Sequence, residues 1–269
     1  MDAPLLKMNE VGRCSLQMNQ PLCFDPYRKN HTTGAFIFID RITNSTVGAG
    51  MIIDREANLG SLGHDYWAEG GEEAAQSKQH SQVTLDERQA RFGQKPATLL
   101  LTGLTGAGKS TIAFALERRL FNSGRVACVL DGEQMRRGIS KDLGFTARER
   151  SENLRRSVEV ARLMNEAGLI CLAAFLAPDA SVRARAREAI GPERFIEIYL
   201  SAPLEVCRRR DTTGIYDRAD RGEIAEFPGV SSQYDIPTEP DLTLATHELS
   251  VEACVDQIVA LLEERQFFA

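Results

Sequence analysis

The sequence has little cysteine, no long apolar run and no excess of positive charge. Its 269 residues include six scattered cysteines without a C-x-x-C pair, which favours reduced thiols over a disulfide framework or a zinc site. The formal net charge is −6, so the composition does not suggest a nucleic-acid partner. No stretch reaches the roughly 18 apolar residues of a membrane span, and the first residues lack the pattern of a signal peptide. We therefore expect a cytoplasmic protein that binds neither nucleic acid nor membrane.

A glycine-rich motif is the strongest signal in the chain. Residues 97–111 read ATLLLTGLTGAGKST, which is an apolar strand, a turn that fits G-x-x-x-x-G-K-[ST] and the start of a helix. Such a turn points successive backbone N–H groups into one concavity that suits a phosphate chain. The lysine of the motif reaches the β- and γ-phosphates, and the serine hydroxyl can bind Mg²⁺. The predicted phosphate-binding residues are Gly103, Thr105, Gly106, Ala107, Gly108, Lys109, Ser110 and Thr111.

The chain divides into three zones. Residues 1–53 have β patterns, with strands predicted at 34–42 and 46–53, whereas residues 54–95 are mostly polar and read as a linker with a short helix at 86–92. From residue 96 onward, apolar strands alternate with helical patterns, which predicts an α/β domain whose parallel sheet is covered by helices on both faces. The predicted strands of this domain are 97–102, 125–130, 169–176, 195–201 and 241–245.

Asp131 follows the second predicted strand of this domain. Ligands of such sheets bind beyond the carboxyl ends of the strands, so Asp131 is expected near the phosphate loop. A carboxylate there can orient Mg²⁺ or accept the proton of an attacking hydroxyl. An aspartate in this position can also simply cap the next helix. These roles stay open at this point.

An arginine-rich stretch follows Asp131. Arg136 and Arg150 flank a glycine-containing turn that carries Phe145, and Arg150 and Asn153 share one side of a predicted helix. One interpretation is an anionic acceptor held by arginine, with the aromatic ring stacked on a base. The other is an ordinary solvated helix face. Residues 207–230, polar and rich in arginine and glycine, are a candidate lid over a nucleotide or a plain helical excursion.

These motifs together resemble the adenylylsulfate kinase (APS kinase) family. The family's marks appear in order from about residue 83 onward, as GLTGAGKST, LDGE, KDLGF, ERSENLRR, AGLICLAAFLAP, PLEVC, GIY and FPGV. The resemblance implies a P-loop kinase that uses ATP and Mg²⁺ to phosphorylate the 3′-hydroxyl of adenosine 5′-phosphosulfate (APS). The product would be 3′-phosphoadenosine 5′-phosphosulfate, the activated form of sulfate.

The resemblance also implies roles for single residues. Asp131 would be the general base, and Lys109 would stabilise the charge on the transferring group. Acceptor binding falls on Leu176 and Ala177 as well as on five further residues. Arg136, Arg150 and Asn153 would hold the phosphosulfate, Phe145 and Phe227 would sandwich the acceptor adenine, and Arg210 with the following lid would cover the ATP adenine. Family kinases are commonly homodimers, so we expect one here.

Four positions depart from the family pattern. Glu133 replaces an aspartate, Ala177 a serine that is phosphorylated in some members, Asp217 a basic lid residue and Pro228 a threonine. The changes at Glu133, Ala177 and Asp217 keep open a P-loop kinase for another small acceptor, such as a sugar or nucleoside. A non-catalytic module that docks on sulfate adenylyltransferase is a third hypothesis.

A second resemblance covers the N-terminal zone. Residues 5–52 resemble the end of the large, GTPase-type subunit of sulfate adenylyltransferase, which is part of a β-barrel like the third domain of translation elongation factors. The implied organisation is a partial β-barrel segment at 1–53, a linker at 54–95 and the kinase domain at 96–269. It also implies that subunits of sulfate adenylyltransferase are partners and that the chain is the C-terminal part of a bifunctional protein. Because an incomplete barrel leaves strand edges unpaired, we expect residues 1–53 to pack poorly alone or to complete themselves on another chain.

Overall fold

A computed structural model of the chain describes residues 30–41, 43–52 and 81–268, together with Tyr27 and Trp67. The chain divides into two compact units, Met1–Gly71 and Glu72–Ala269. Most of the predicted linker and the first part of the predicted barrel segment lie outside the described residues. None of the helices in the described ranges is both long enough and apolar enough to cross a membrane.

The described part of the first unit is a β-hairpin. Strands β1 (Ala35–Ile39) and β2 (Thr46–Met51) pair antiparallel, with an irregularity in the register between Phe38 and Ile39. Asn44 lies in the connection with φ of 55°, a left-handed conformation that asparagine tolerates better than most residues. The two strands predicted here are present, although both are shorter than predicted.

The second unit alternates strands and helices as predicted. Its strands are β3 (Ala97–Thr102), β4 (Ala127–Asp131), β5 (Ile170–Ala174), β6 (Phe195–Leu200) and β7 (Leu242–Leu244). Its helices are α1 (Leu85–Phe92), α2 (Lys109–Asn122), α3 (Gly132–Arg137), α4 (Ala147–Glu166), α5 (Ala180–Ile190), α6 (Leu204–Arg209), α7 (Ile215–Asp220) and α8 (Val251–Glu264). All five strands run parallel in the order β4-β5-β3-β6-β7, which confirms the predicted sheet.

Helices cover both faces of this sheet because the strands are apolar on both sides. All six residues of β3 are buried. On one face α2 packs against α8, and on the other α4 packs against α5. Four apolar residues of α2 (Ile112, Ala113, Leu116 and Leu120) recur at helical spacing and are buried, as are three of α4 (Leu154, Val158 and Ala161), so each helix turns one stripe toward the sheet.

The strand order creates a crevice beside β3. The chain leaves β3 toward β4 on one side, whereas it leaves β5 toward β6 on the other side of β3. The connections therefore diverge between the carboxyl ends of β3 and β5, which is where open α/β sheets bind ligands. The phosphate loop, Asp131 and the residues after β5 all lie at this edge.

Candidate active site

The phosphate loop joins β3 to α2. Gly106 has φ of 83°, and a Cβ built on it would lie 2.7 Å from the carbonyl oxygen of Cys207. Any side chain here would collide with backbone, so the loop needs glycine both for its conformation and for its close approach to α6. Helix α2 begins at Lys109, directly after the loop. Its first N–H groups therefore belong to the same anion-binding concavity.

Lys109 folds back over the loop that it follows. Its Nζ donates to the carbonyl oxygens of Gly103 (2.9 Å) and Leu104 (2.8 Å). Burial lowers the pKa of Lys109 to about 8, although the negative charges of Asp131 and Glu133 act in the opposite direction. The amine is thus a poorly solvated cation at the mouth of a phosphate-binding loop.

Asp131 serves two elements at once. Its Oδ1 accepts hydrogen bonds from the backbone N–H groups of Glu133 (2.9 Å) and Gln134 (3.1 Å) and so caps α3. Its Oδ2 accepts from the hydroxyl of Ser110 at 2.6 Å. The capping role and the role beside the phosphate loop, which the sequence left as alternatives, therefore fall on different oxygens. The cap holds the carboxylate in a single orientation.

Arg136 and Phe145 form a stacked pair on the other side of Asp131. The guanidinium carbon of Arg136 lies 4.7 Å from the centre of the Phe145 ring. Its N–H groups donate to the carbonyl oxygens of Gly132 (3.1 Å) and Gly144 (3.1 and 3.2 Å). The Phe145 ring itself is 59% exposed, so a face of it is open to a ligand.

Arg150 lies close enough to Arg136 for their charges to repel. Burial lowers the pKa of Arg150, and the positive charge of Arg136 lowers it further. Two neighbouring cations with reduced hydration are a favourable site for an anion, which would relieve the repulsion. Arg150 donates to the carbonyl oxygens of Phe145 (2.8 Å) and Glu226 (2.8 Å), which joins the start of α4 to the candidate lid.

Asn153 is buried beside this pair. Its Nδ2 donates to the carbonyl oxygen of Gly132 at 3.2 Å, which orients the amide. Its Oδ1 is buried and has no hydrogen-bond partner among the described residues. A buried acceptor without a partner is costly, so this oxygen is suited to a ligand or a water that can donate to it.

One cavity of about 1100 Å³ brings the predicted residues together. The phosphate loop and Lys109 lie in its wall, as do Asp131 and the arginine pair. Gly103 is the one predicted site residue that does not line it. The other sixteen do: Thr105, Gly106, Ala107, Gly108, Lys109, Ser110, Thr111, Asp131, Arg136, Phe145, Arg150, Asn153, Leu176, Ala177, Arg210 and Phe227.

The candidate lid contains the short helix α7, whose bounds the sequence did not predict, although a helical excursion was one interpretation of this segment. Helix α7 places the Tyr216 hydroxyl 2.7 Å from the carbonyl oxygen of Thr105, so this segment is hydrogen-bonded to the phosphate loop. Phe227 is buried, with its ring edge-on to Tyr216 at 5.0 Å. Phe227 and Phe145 line the same cavity, and the adenine sandwich between them stays a prediction.

Thr246 is a site residue that sequence reasoning missed. Its hydroxyl donates to the carbonyl oxygen of Ala107 (2.8 Å), while Arg210 donates to its hydroxyl (3.3 Å) and to its carbonyl oxygen (2.6 Å). Thr246 thus connects Arg210 to the phosphate loop. Its position just after β7, at the carboxyl edge of the sheet, is the feature of the sequence that could have identified it as a site residue.

Of the departures from the family pattern, Glu133 and Ala177 line the cavity, whereas Asp217 does not. Asp217 is exposed on α7. Its change from a basic residue to an acidic one therefore does not alter the cavity wall.

A parallel sheet in this order, with a phosphate loop after its central strand and a carboxylate at the end of the edge strand β4, defines the class of P-loop kinases. The family model for adenylylsulphate kinase matches residues 95–245, which is more than half of the chain. A second model, GTP-eEF1A C-terminal domain-like, matches residues 2–53. The chain belongs to the adenylylsulfate kinase family, whose members use ATP.

Curated relatives are longer than this chain. A bifunctional enzyme CysN/CysC of Rhodopirellula baltica is 51% identical in an alignment of 269 positions, which covers 99% of this chain and 41% of the relative. A bifunctional enzyme NodQ of a Rhizobium species is 44% identical over 98% of this chain and 38% of its own length. The chain thus spans about two fifths of these relatives.

A solved structure covers the kinase part alone. The APS kinase CysC of Mycobacterium tuberculosis, in complex with AMPPNP and APS, is 40% identical and has a TM-score of 0.61. The match covers 63% of this chain and 99% of that one. The match thus includes almost all of that chain and leaves more than a third of this one unmatched.

Proposed function

We propose that residues 96–269 transfer the γ-phosphate of ATP to the 3′-hydroxyl of APS. The observation that carries this proposal is the position of Asp131, which shares one cavity with the phosphate loop and with the repelling pair Arg136 and Arg150. A relative at 40% identity was solved with AMPPNP and APS, which supports the same two ligands here.

The donor half of the site suits a nucleoside triphosphate with Mg²⁺. The loop N–H groups and Lys109 would bind the phosphates. The Ser110 hydroxyl is a hard oxygen donor of the kind that Mg²⁺ prefers, and the adjacent Asp131 carboxylate would orient a water on that ion. The described residues contain no group of three or more metal-binding side chains, which fits an ion held by one or two protein oxygens and by phosphates. Bound there, Mg²⁺ would neutralise phosphate charge.

The acceptor half suits an anionic adenosine nucleotide. Arg136 and Arg150 would hold the phosphosulfate, since an anion between them removes their repulsion. The open face of Phe145 offers a stacking surface for the adenine. Phe227, which lines the same cavity, would face the other side of the base.

Asp131 would take the proton of the attacking hydroxyl through Oδ2. That oxygen accepts the Ser110 hydroxyl hydrogen, and it would be free to accept the acceptor's proton once Ser110 bound Mg²⁺ instead. Oδ1 stays bound to the α3 cap, which keeps the carboxylate aligned during the change. Phosphoryl transfer depends mainly on such alignment and on charge neutralisation.

Two proposals concern partners. The curated relatives are named bifunctional enzymes, and residues 2–53 match a separate domain model. We infer that this segment is the end of a sulfate adenylyltransferase large subunit and links the kinase to that enzyme. We also propose self-association of the kinase domain as a homodimer. One solved relative, a hexameric APS kinase from Thiobacillus denitrificans (28% identical, TM-score 0.51), forms a larger oligomer.

The test is phosphoryl transfer from ATP and Mg²⁺ to APS, with the 3′-phosphorylated product as readout. AMP and a panel of sugars serve as alternative acceptors, and Lys109→Ala is the matched inactive variant. We expect turnover with APS that is lost in the variant. Turnover with a sugar but not with APS would establish a kinase for another acceptor. Nucleotide binding without turnover on any acceptor would favour a docking module.

A further inference from the structure

Residues 175–178 directly follow β5, and the first three of them line the cavity on the proposed acceptor side. We call this loop the wall. Hydrogen bonds from other parts of the fold hold it in place. The three successive carbonyl groups of residues 176–178 each accept a hydrogen bond from a different element. The donors are the Thr102 hydroxyl to the first (2.7 Å), Arg183 Nη1 to the second (2.8 Å) and the Asp235 backbone N–H to the third (2.8 Å). All three carbonyl groups are therefore hydrogen-bonded within the protein.

Arg183 is the charged member of this set, and only 3% of it is exposed. Its Nε donates to Glu197 at 2.7 Å, which compensates the buried charge. Its Nη2 donates to the carbonyl oxygen of Asp235 at 2.8 Å, so it joins the wall to the chain that follows the candidate lid. A guanidinium donates in several fixed directions at once, which a lysine ammonium cannot reproduce.

The residue whose carbonyl Arg183 holds has an unfavourable backbone. Ala177 has φ of 41°, in the left-handed region that residues with a Cβ rarely adopt. Such a conformation persists when the surrounding contacts over-determine it. Among the described residues, only Asn44 and Gln266 share a positive φ without being glycine, and neither lines the cavity.

The wall also lies next to the catalytic carboxylate. A Cβ built on Gly132 would lie 3.1 Å from the ring of Phe175, the residue at the start of the wall. Gly132 directly follows Asp131, so a shift of the wall changes the packing beside that carboxylate. A shift of the wall would thus change the distance between a bound acceptor's hydroxyl group and Asp131.

We propose that Arg183 is a positioning residue for the acceptor, because it holds the Ala177 turn in place from outside the cavity. This proposal rests on the proposed function above for the identity of the acceptor. It assigns no contact between Arg183 and the substrate, since Arg183 does not line the cavity. Loss of the Arg183 guanidinium should therefore weaken binding of the acceptor and leave binding of the donor nucleotide unchanged.

The test compares Arg183→Lys with Arg187→Lys. Arg187 lies one turn further along α5, pairs with Asp241 at 2.7 Å and lies 3.7 Å from Glu197, the partner of Arg183. It donates no hydrogen bond to the wall, so it controls for a change in this ion-pair network alone. We expect Arg183→Lys to raise the KM for the acceptor about tenfold or more, because small misplacements of reacting groups are costly. The KM for ATP should stay within about twofold of the parent value. In the control, Arg187→Lys, the KM for ATP and the KM for the acceptor should both stay within about twofold.

A third variant tests the role of the strained turn. Glycine adopts a left-handed φ without penalty, so Ala177→Gly in the Arg183→Lys background should recover part of the lost acceptor KM. Tyr234→Phe is a milder change at the same wall, because it removes a hydroxyl 2.8 Å from Thr102 Oγ1. It should raise the acceptor KM less and leave the ATP KM unchanged. Equal rises in both KM values, or no change in Arg183→Lys, would overturn the proposal.

Hydrogen exchange separates this proposal from the proposed function. Exchange at the backbone N–H groups of residues 175–177 and 179–182 should be faster in Arg183→Lys than in the parent and in Arg187→Lys, whatever the acceptor is. Faster local exchange in a chain that does not phosphorylate APS would support the positioning role while the proposed acceptor fails. Normal APS turnover with unchanged exchange and unchanged acceptor KM would overturn the positioning role alone.

Discussion

Replacement of Asp131 by asparagine separates the two functions of this side chain. Asparagine is as good a helix cap as aspartate, so its Oδ1 can still accept from the N–H groups of Glu133 and Gln134. Its Nδ2 would face Ser110, where the carboxylate Oδ2 accepts a hydrogen bond. The variant therefore keeps the local fold but has neither a proton acceptor nor a charged metal ligand at that point.

The expected magnitudes differ for stability and for rate. Because the cap survives, the free energy of unfolding should change by less than about 1 kcal/mol. Loss of a general base typically costs about 10²–10⁴ in rate, which corresponds to roughly 3–5 kcal/mol in the activation free energy. Asp131→Ala, which loses the cap as well, should show the same loss of rate and about 1 kcal/mol lower stability.

The assay is single-turnover transfer from ATP to APS, with binding of a non-hydrolysable ATP analogue and chemical denaturation measured on the same samples. We expect Asp131→Asn to bind the analogue and to unfold like the parent, while transfer is almost lost. Retention of a tenth or more of the parent rate would refute the assignment of Asp131 as base or metal ligand. A matching loss of analogue binding would instead show that the carboxylate is needed for the donor site.

Three further predictions concern the donor site and the core. Affinity for an ATP analogue, measured by titration calorimetry, should fall as pH rises through about 8, because the Lys109 amine loses its proton there. The variant Lys109→Met should bind weakly and show little pH dependence. Thr246→Val should raise the KM for ATP severalfold, because the carbonyl oxygen of Ala107 and the guanidinium of Arg210 each lose a hydrogen-bond partner at a cost of about 1 kcal/mol. Thr246→Ser keeps the hydroxyl and should not raise it, so equal KM values for ATP in the two variants would contradict this role. Leu172→Ala, at a fully buried position of β5, should lower the free energy of unfolding by about 2–5 kcal/mol in urea, against less than about 0.5 kcal/mol for the exposed Leu163→Ala on α4.

Local patterns in the sequence were sufficient for most of the fold. The glycine motif placed the phosphate loop, because its spacing serves a local backbone geometry that needs no distant partner. Thr146 and Glu149 have the spacing of a capping box, a local signal for a helix start, and both hydrogen bonds of that box are present at the start of α4. Strands β3 and β6 agree with their predicted ranges within one residue, since a continuous apolar run ends where the chain leaves the sheet.

The predicted ends of other elements were wrong where tertiary contacts override the local pattern. The third predicted strand of the kinase domain extended to residue 176, but β5 ends at Ala174. The apolar run continues, yet the chain turns at Ala177 because its carbonyl group and those of its neighbours bind donors from elsewhere in the fold. Nothing local to that run encodes where those donors lie.

The sequence by itself determined the class of fold, the phosphate loop and the family. Only the tertiary structure decided that Asp131 divides its oxygens between a helix cap and Ser110, that Arg136 and Arg150 repel each other, and that Thr246 and Arg183 support the two halves of the cavity. The reason is sequence separation. The bond from Thr246 to Ala107 joins residues 139 positions apart, and such contacts exist only after the sheet has brought the strand ends together.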